Sequence, residues 1–580
     1  MFLYKYRNNL KLFVFWGIVC VLANVICSAG SAYDGDQSFW VGWTRQLIDG
    51  GFGGFKGNYP PLYVFWLWIV AQVHSIFGLV VDKTFFLKFI CLWPVFFAHL
   101  FLVDWSCRIS EKFNYPEWKK HLLLAFVALN PALLMNGPIW GQVDLFPVVL
   151  ASLAIYCLCR PRYVFLASML YVLSLLSKFQ MIAFLPIFGG LFIRNWKKSW
   201  KGLPLAVVGA VLVLLPFAIG GNLFSILSNA YVQTTNQYPY ATFNAANLWN
   251  LLAGNVAPDN VPIWGVNSDG LGFLLKPAVL GKLLFILISV FTLIKSFLCK
   301  NARTAFALCS LNGLAFFVLL PGMHERYLLY AVPMVLCWLM LDMRHGGIPA
   351  LFITAVATLN VNLINPFRGS GVWTFVSLMG CLTLIALLFA LAMPKTVDEV
   401  ICRLRRIDFP AWLPYALLFA ILLIECGNLA YQNRPVAMPK GDNIVLLTDL
   451  KRLKANQTFK FPKLNVSVDD HSLTVGSRIY KIGIGAHAPS SIVYELPENA
   501  DSLFIGAGVD NECYEEGSAK FIINVDGKLA WQSDLMRGRS GAVFAKVSVQ
   551  NASQVELVTD PDGTNNCDHT DWLLPYIKLK

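Results

Sequence analysis

The stretch YDGDQSFWVGWTRQLIDGGFGGFKGNYPPL, Tyr33 to Leu62, follows the first long apolar run. If that run crosses a membrane, this stretch is the first part of the chain delivered to the far side. It therefore sets the side of every later connection. Asp34 and Asp36 stand one residue apart beside Gly35, which relaxes the backbone. An aromatic segment with Phe39, Trp40 and Trp43 follows and carries Arg45. A glycine-rich turn, Gly50 to Gly54, and the rigid Pro60-Pro61 pair then open the next apolar run. We read 33–62 as an outer loop. A carboxylate held at a bilayer surface among aromatics and one cation is what a general base for a hydroxyl acceptor needs. A solvated loop whose acids only mark the outer side is the alternative, and spacing does not choose between them.

Composition agrees with membrane burial. Of 580 residues, 57% are hydrophobic and 14% charged, and the mean hydropathy is +0.57, which excludes an ordinary soluble protein. Apolar runs of near-spanning length recur from residue 11 to residue 430, the pattern of a polytopic helical membrane protein. Spans are expected near 11–30, 121–137, 143–160, 163–177, 180–194, 203–220, 276–297, 304–320, 327–342, 347–364, 373–393 and 412–430. Lys5, Arg7 and Lys11 before the first run imitate a signal peptide, but the many spans that follow argue for an uncleaved first helix.

The net charge of +12 is not a nucleic-acid signal, because the basic residues sit in short loops between apolar runs. Arg108, Lys112, Lys119 and Lys120 form one cluster, and Arg194, Lys197, Lys198 and Lys201 the next. Lys300 with Arg303, then Arg344, then Lys395 with Arg403, Arg405 and Arg406 complete the series. The positive-inside rule makes these loops cytoplasmic. The connection 221–275 contains no Lys or Arg and belongs outside. Runs 62–80 and 85–105 must together cross a net once, so one of them is re-entrant, short or interfacial. About 13 crossings result, with the C-terminus outside.

Four further stretches carry polar groups at membrane depth. Asn130-Pro131 and Gly137-Pro138 break a helix before Trp140-Gly141-Gln142-Val143-Asp144. Asp144 and Gln142 there face protein or water, or else Asp144 caps a helix. Lys178, followed by Phe179-Gln180, interrupts the apolar stretch 163–194, either snorkelling or meeting a lipid phosphate. The outer connection 221–275 is rich in amides and aromatics, Asn247 and Trp249 among them, which suits a neutral sugar. Its length points to a cover or lid. His324-Glu325-Arg326-Tyr327 opens a span. Arg326 offers a planar fork to phosphate oxygens, with Glu325 to hold it and His324 as a further donor. A Glu–Arg helix cap is the alternative.

From about residue 435 the chain turns polar. Pro435, Pro439 and Gly441 make a linker over 435–445. Short alternating runs such as 520–525 and 533–535, separated by Asp526-Gly527 and Asp562-Gly563, predict an all-β sandwich over 446–580. Twelve of the 14 cysteines lie at or before Cys426, and no Cys/His spacing suggests a metal. Cys513 and Cys567 in the tail are candidates to pair in an oxidising space.

Two resemblances follow from these motifs. Gly35-Asp36, Tyr59-Pro60-Pro61, Asn130-Pro131 with Trp140 to Asp144, Lys178-Phe179-Gln180, Asn247-Leu248-Trp249 and His324 to Tyr327 occur in an order that resembles the GT-C class of membrane glycosyltransferases. More narrowly, residues 1–434 look like the bacterial relatives of the GPI-anchor second-mannose transferase, with Phe179 where those relatives usually have Pro. The tail is similar to the NPCBM carbohydrate-binding modules through Gly483 to Ala488, Gly508-Val509-Asp510, Gly517-Ser518, Asp526-Gly527-Lys528 and Asp568 to Trp572.

The resemblance implies inverting transfer of a sugar, mannose first, from a polyprenyl-phosphate donor to a glycan, lipid or protein acceptor. Transfer would take place at the extracytoplasmic face of a bacterial inner membrane. It assigns the base to Asp36 rather than Asp34, a choice the residues alone do not make. Arg326, His324 and Lys178 are then the candidate phosphate ligands. Asp34, Trp140, Gln142, Asp144, Gln180, Asn247, Trp249 and Glu325 bind substrate or support the site. No cofactor is implied, although some members of the class use a divalent metal. A flippase of lipid-linked sugars and a membrane-anchored carbohydrate-binding protein remain open.

Overall fold

The computed structural model describes residues 10–29, 34–233, 239–254, 257–263, 270–299, 301–362, 370–394, 441, 443–475, 478–510, 517–538, 541–561, 563, 565 and 567–580. The chain forms two compact units, Met1–Phe419 and Ala420–Lys580. The first is a polytopic α-helical membrane domain and the second an all-β sandwich. Among the described residues six helices are long and apolar enough to span a bilayer, or seven if the bent pair Phe85–Cys91 and Trp93–Lys112 makes one span. Shorter apolar helices pack among them. The expected span 412–430, the basic residues 395–406 and the linker prolines Pro435 and Pro439 lie outside the described residues.

The first eight helices are α1 (Leu10–Ser28), α2 (Asp34–Gly54), α3 (Pro61–Ile76), α4 (Phe85–Cys91), α5 (Trp93–Lys112), α6 (Glu117–Ala128), α7 (Pro131–Leu134) and α8 (Leu145–Leu158). The segment read as an outer loop is thus largely the helix α2. Trp40, Trp43, Thr44 and Leu47 recur at helical spacing, and all four are buried. Few charges mark the opposite face, so the pattern reads as an aromatic loop. The expected glycine turn survives as a break at Gly51, whose φ of 55° is left-handed. A side chain at Gly53 would meet the Gly220 carbonyl oxygen at 2.8 Å, so the end of α2 packs backbone to backbone on the end of the helix Leu203–Ile219.

The ambiguous run 62–105 resolves through α3. Its 16 residues span about 24 Å, short of the roughly 30 Å of hydrocarbon. Beyond it the chain returns to α2. Arg45 donates Nε and Nη2 to the Val81 carbonyl at 3.2 and 2.7 Å, and Gln37 Nε2 reaches the Thr84 carbonyl at 3.4 Å. The segment α3 to α4 therefore starts and ends beside α2, and α5, with 20 residues, is the longer helix of the bent pair. At 51°, the bend between α4 and α5 falls at Leu92, with Pro94 in the first turn of α5.

The connection 221–275, expected as a cover or lid, carries secondary structure of its own among the described residues. Leu223–Leu227 and Leu248–Leu252 are helical within it, and its strand Thr242–Phe243 pairs in parallel with Met323–His324.

In the second unit two sheets face each other. One runs in the order Val543–Ser548, Ala500–Val509, His569–Leu579, Gly483–His487, Lys463–Leu464, with Ile444–Leu446 also against His569–Leu579. The other runs Lys528–Gln532, Ser518–Val525, Gln554–Pro561, Ser490–Glu495, Arg452–Gln457, with Met536–Arg537 against Ser518–Val525. Trp572 and Phe521 meet edge to face at 5.1 Å in the core. Asp526 and Gly527, with φ of 47° and 75°, make the expected two-residue turn. Residues 533–535, read as strand, are a connection. There the Ser533 N–H still bonds the Phe521 carbonyl at 2.9 Å, but the Ser533 hydroxyl takes the place of a backbone carbonyl in accepting the Phe521 N–H at 2.9 Å, and donates to the Asp534 carbonyl. Cys567 is disulfide-bonded, and Cys513 lies outside the described residues.

Candidate active site

Five separate segments meet at one end of the helical unit, and the chain breaks that the sequence marks are what aim their side chains. Asn130 caps α7, accepting the Leu133 N–H at 3.3 Å, with Pro131 at the first helical position. A π-turn, Met135–Ile139, follows. Gly141 then takes a φ of 96°, which a side chain would resist. That turn points Trp140 Nε1 and Gln142 Nε2 at Asp36, each at 2.6 Å from Oδ2. Trp40, one turn along α2, locks the same loop by donating to the Gly141 carbonyl at 3.1 Å. Asp34 heads α2, and its side chain is outside those described.

Arg326 approaches Asp36 from the connection before the helix Ala331–Leu341. Its Nη1 is 3.8 Å from Asp36 Oδ2 and 3.0 Å from Glu325 Oε1. The helix-cap reading of this segment fails, because neither side chain bonds the turn Tyr327–Tyr330 that follows. Arg326 Nε is buried with no hydrogen-bond partner among the described residues. The Glu325 carbonyl accepts from Asn360 Nδ2, and Asn360 Oδ1 accepts the Ala246 N–H at 2.7 Å, so one buried amide ties this turn to the connection 221–275. His324 is packed between the rings of Phe243 and Tyr327, at 5.1 Å from each. Burial, with Arg326 and Lys178 nearby, holds its imidazole well below the usual range, so it acts as a neutral hydrogen-bonding group.

Beneath Asp36 lies a second, drier layer. Asp144 is fully buried and pairs with Lys178 Nζ at 2.8 Å. It is not a helix cap, since its carboxylate makes no bond to the first turn of α8. The Tyr330 hydroxyl and Asn136 Nδ2 stand at 3.4 and 3.5 Å from its two oxygens. Lys178 occupies an extended residue between the helix Ala167–Ser177 and the turn Phe179–Phe184, so it neither snorkels nor lies free. Its Nζ also donates to the Tyr59 hydroxyl at 2.7 Å and sits 4.4 Å from that ring's centre. Gln180 Nε2 reaches the Tyr327 hydroxyl at 3.3 Å.

The structure therefore brings together Asp36, Trp140, Gln142, Asp144, Lys178, Gln180, His324, Glu325 and Arg326. Asn247 and Trp249 have their polar side-chain atoms spent on the backbone. Both are fully buried, with Asn247 Nδ2 on the Phe317 carbonyl, its Oδ1 capping Leu248–Leu252, and Trp249 Nε1 on the Leu319 carbonyl at 2.8 Å. These bonds are what a supporting role requires. Tyr59, Tyr330, Asn136 and Asn360 join the site unforeseen. Tyr-Pro-Pro flagged the first, while nothing local marks Tyr330 or Asn360.

Burial pushes the Glu325 carboxyl up to about 7, against the pull of Arg326. Above that pH Glu325 is ionised and shares the Arg326 charge with Asp36; below it the neutral acid releases that charge. Affinity for an anionic ligand at Arg326 should therefore rise as pH falls from about 8 to about 6, and stay flat in Glu325→Gln. Titrating a polyprenyl-phosphate sugar, a phosphodiester whose own charge is constant over this range, onto both proteins checks this, and a flat wild-type curve would overturn it.

Comparison with known proteins gives a family match that lies within the second unit. Residues 443–578 match the NPCBM/NEW2 domain. Over 146 residues the chain is 30% identical to alpha-1,3-galactosidase B of Akkermansia muciniphila, covering 24% of this chain and 18% of that one. It is also 31% identical over 105 residues to a putative endo-alpha-N-acetylgalactosaminidase of Renibacterium salmoninarum, 18% of this chain and 7% of the other. The chain thus spans only a small part of these relatives. Among solved structures, CBM51 from Clostridium perfringens GH95 in complex with methyl-galactose is 26% identical with a TM-score of 0.23, over 23% of this chain and 99% of that one. Arabinosyltransferase EmbB from Mycobacterium smegmatis aligns with 97% of this chain and 64% of its own, at 12% identity and a TM-score of 0.24.

Proposed function

We propose that this protein is a membrane glycosyltransferase that moves a sugar from a polyprenyl-phosphate donor to an acceptor hydroxyl at the extracytoplasmic face. One observation carries the reading: a carboxylate, Asp36, oriented by Trp140, Gln142 and Arg326 beside a paired lysine, all at the end of a membrane bundle. Two donors on Oδ2, with the Arg326 guanidinium at an ion-pair distance of 3.8 Å, hold the carboxylate in one pose, the condition for a general base that must meet an acceptor hydroxyl at hydrogen-bond distance. Arg326, with an unused buried Nε–H, suits a phosphate leaving group, since charge-assisted bonds favour the transition state in which that phosphate gains charge. Mannose is the sugar we would test first. The sandwich, matched to the NPCBM/NEW2 domain, would hold a glycan near the membrane and raise its local concentration.

The experiment is a donor screen on purified intact protein with isotope-labelled polyprenyl-phosphate mannose, glucose and arabinose. Label should leave one of these donors and appear in an acceptor or as hydrolysed sugar. Binding without consumption of all three would favour a flippase instead.

A further inference from the structure

A cleft of about 520 Å³ opens between α3, the first half of α5 and the first half of α8. Leu62, Tyr63, Ile69, Phe97, Ala98 and Phe146 are among the side chains that line it, and the whole lining is aliphatic or aromatic. Two lining residues carry polar atoms, and both atoms are spent. The Tyr63 hydroxyl donates to the Cys91 carbonyl at 2.7 Å, and Trp66 Nε1 to the Ile90 carbonyl at 2.9 Å. An occupant therefore finds nothing to hydrogen-bond, which penalises any polar group brought there. Ile69 and Phe97 at the rim are 44% and 63% exposed, so the cleft opens sideways, toward the hydrocarbon of a bilayer.

Its upper end abuts the polar cluster. Phe146 follows Asp144 by two residues at the start of α8. Tyr63 packs on Tyr59 and Trp40 with ring centres 5.5 and 5.4 Å apart, and Tyr59 bears the Lys178 ammonium while Trp40 holds the loop of Gln142. One aromatic layer thus separates a dry, laterally open cleft from the cations and the Asp36 carboxylate. We propose that this cleft seats the hydrocarbon chain of the lipid donor, in the portion next to its phosphate, so that the chain sets the depth at which the head reaches Arg326. The inference rests on the transferase reading above for the nature of the head, and on the cleft alone for the chain.

The test uses intact protein in nanodiscs with a polyprenyl phosphate that carries a diazirine near the phosphate. Photolysis should label peptides of α3, α5 or α8 that border the cleft, and unlabelled polyprenyl phosphate should compete where excess phosphatidylglycerol does not. Ala98→Trp fills the cleft and should weaken probe binding by roughly tenfold or more, the effect of excluding about two buried methylenes. Val149→Phe, also on the lining, serves if Ala98→Trp does not fold. Labelling that maps elsewhere, or equal competition by phosphatidylglycerol, would overturn the assignment. If the cleft labels as expected while no sugar is transferred from any lipid donor, the transferase reading falls and the cleft stands.

Discussion

Asp36→Asn is expected to keep the fold and the donor affinity while turnover drops by roughly 10²–10⁴, the usual contribution of a positioned general base. The geometry makes this a clean substitution. The amide oxygen can still accept from Trp140 Nε1 and Gln142 Nε2, which now hold Oδ2 at 2.6 Å, so the pose of the side chain is retained while its basicity is lost. The structure also supplies a competing role, because Arg326 Nη1 stands 3.8 Å from the same oxygen. If Asp36 only steers Arg326, the loss should appear in donor affinity and spare the rate at saturation. The two roles separate when donor binding and single-turnover rate are measured on the same protein. Asp34→Asn should cost far less. Full activity in Asp36→Asn would remove the general-base assignment altogether.

What the sequence discloses here follows the length of the interactions. Helix breaks are local, so Asn130-Pro131, Gly141 and Lys178 mark where the backbone turns, and site residues stand at the last two, while Asn130 caps the short helix that leads to them. Side-chain identity at such breaks was informative because a carboxylate, a lysine or an indole at membrane depth needs a partner. The partner itself was hidden. Nothing near Asp144 says that it meets Lys178, and nothing near Asn360 says that it clamps the turn of Glu325. The misreading of α2 came from the same limit in reverse, since its buried stripe was there, but scattered glycines and few charges left no polar face to contrast with it. Asn247 and Trp249 looked like sugar ligands because a buried backbone carbonyl that needs a donor leaves no trace in sequence. In the sandwich the Asp526-Gly527 turn was legible from the pair itself, whereas the side-chain bond of Ser533 to the Phe521 N–H, twelve positions away, was not.

The Asp144–Lys178 pair yields the other large effect. Its side chains are 0% and 8% exposed, so neither charge is solvated by bulk water. Removing one partner of such a pair leaves an uncompensated charge and typically costs about 3–5 kcal/mol, whereas replacing both is often near neutral. Lys178→Met should therefore lower the melting temperature of the detergent-solubilised protein markedly. The double variant Lys178→Met with Asp144→Asn should recover most of it, since the side chain that replaces the carboxylate is neutral, its oxygen can still accept from Asn136 Nδ2, and its NH2 can donate to the Tyr330 hydroxyl oxygen. Stability alone does not say whether Lys178 also binds phosphate, but the recovered double variant does. Because its fold is restored, any remaining deficit in donor affinity belongs to the lost ammonium, and a charge-assisted bond to phosphate predicts a deficit of roughly 10-fold or more. Wild-type affinity in the stable double variant would reduce Lys178 to a structural counter-ion of Asp144 and leave Arg326 as the cation that meets the phosphate.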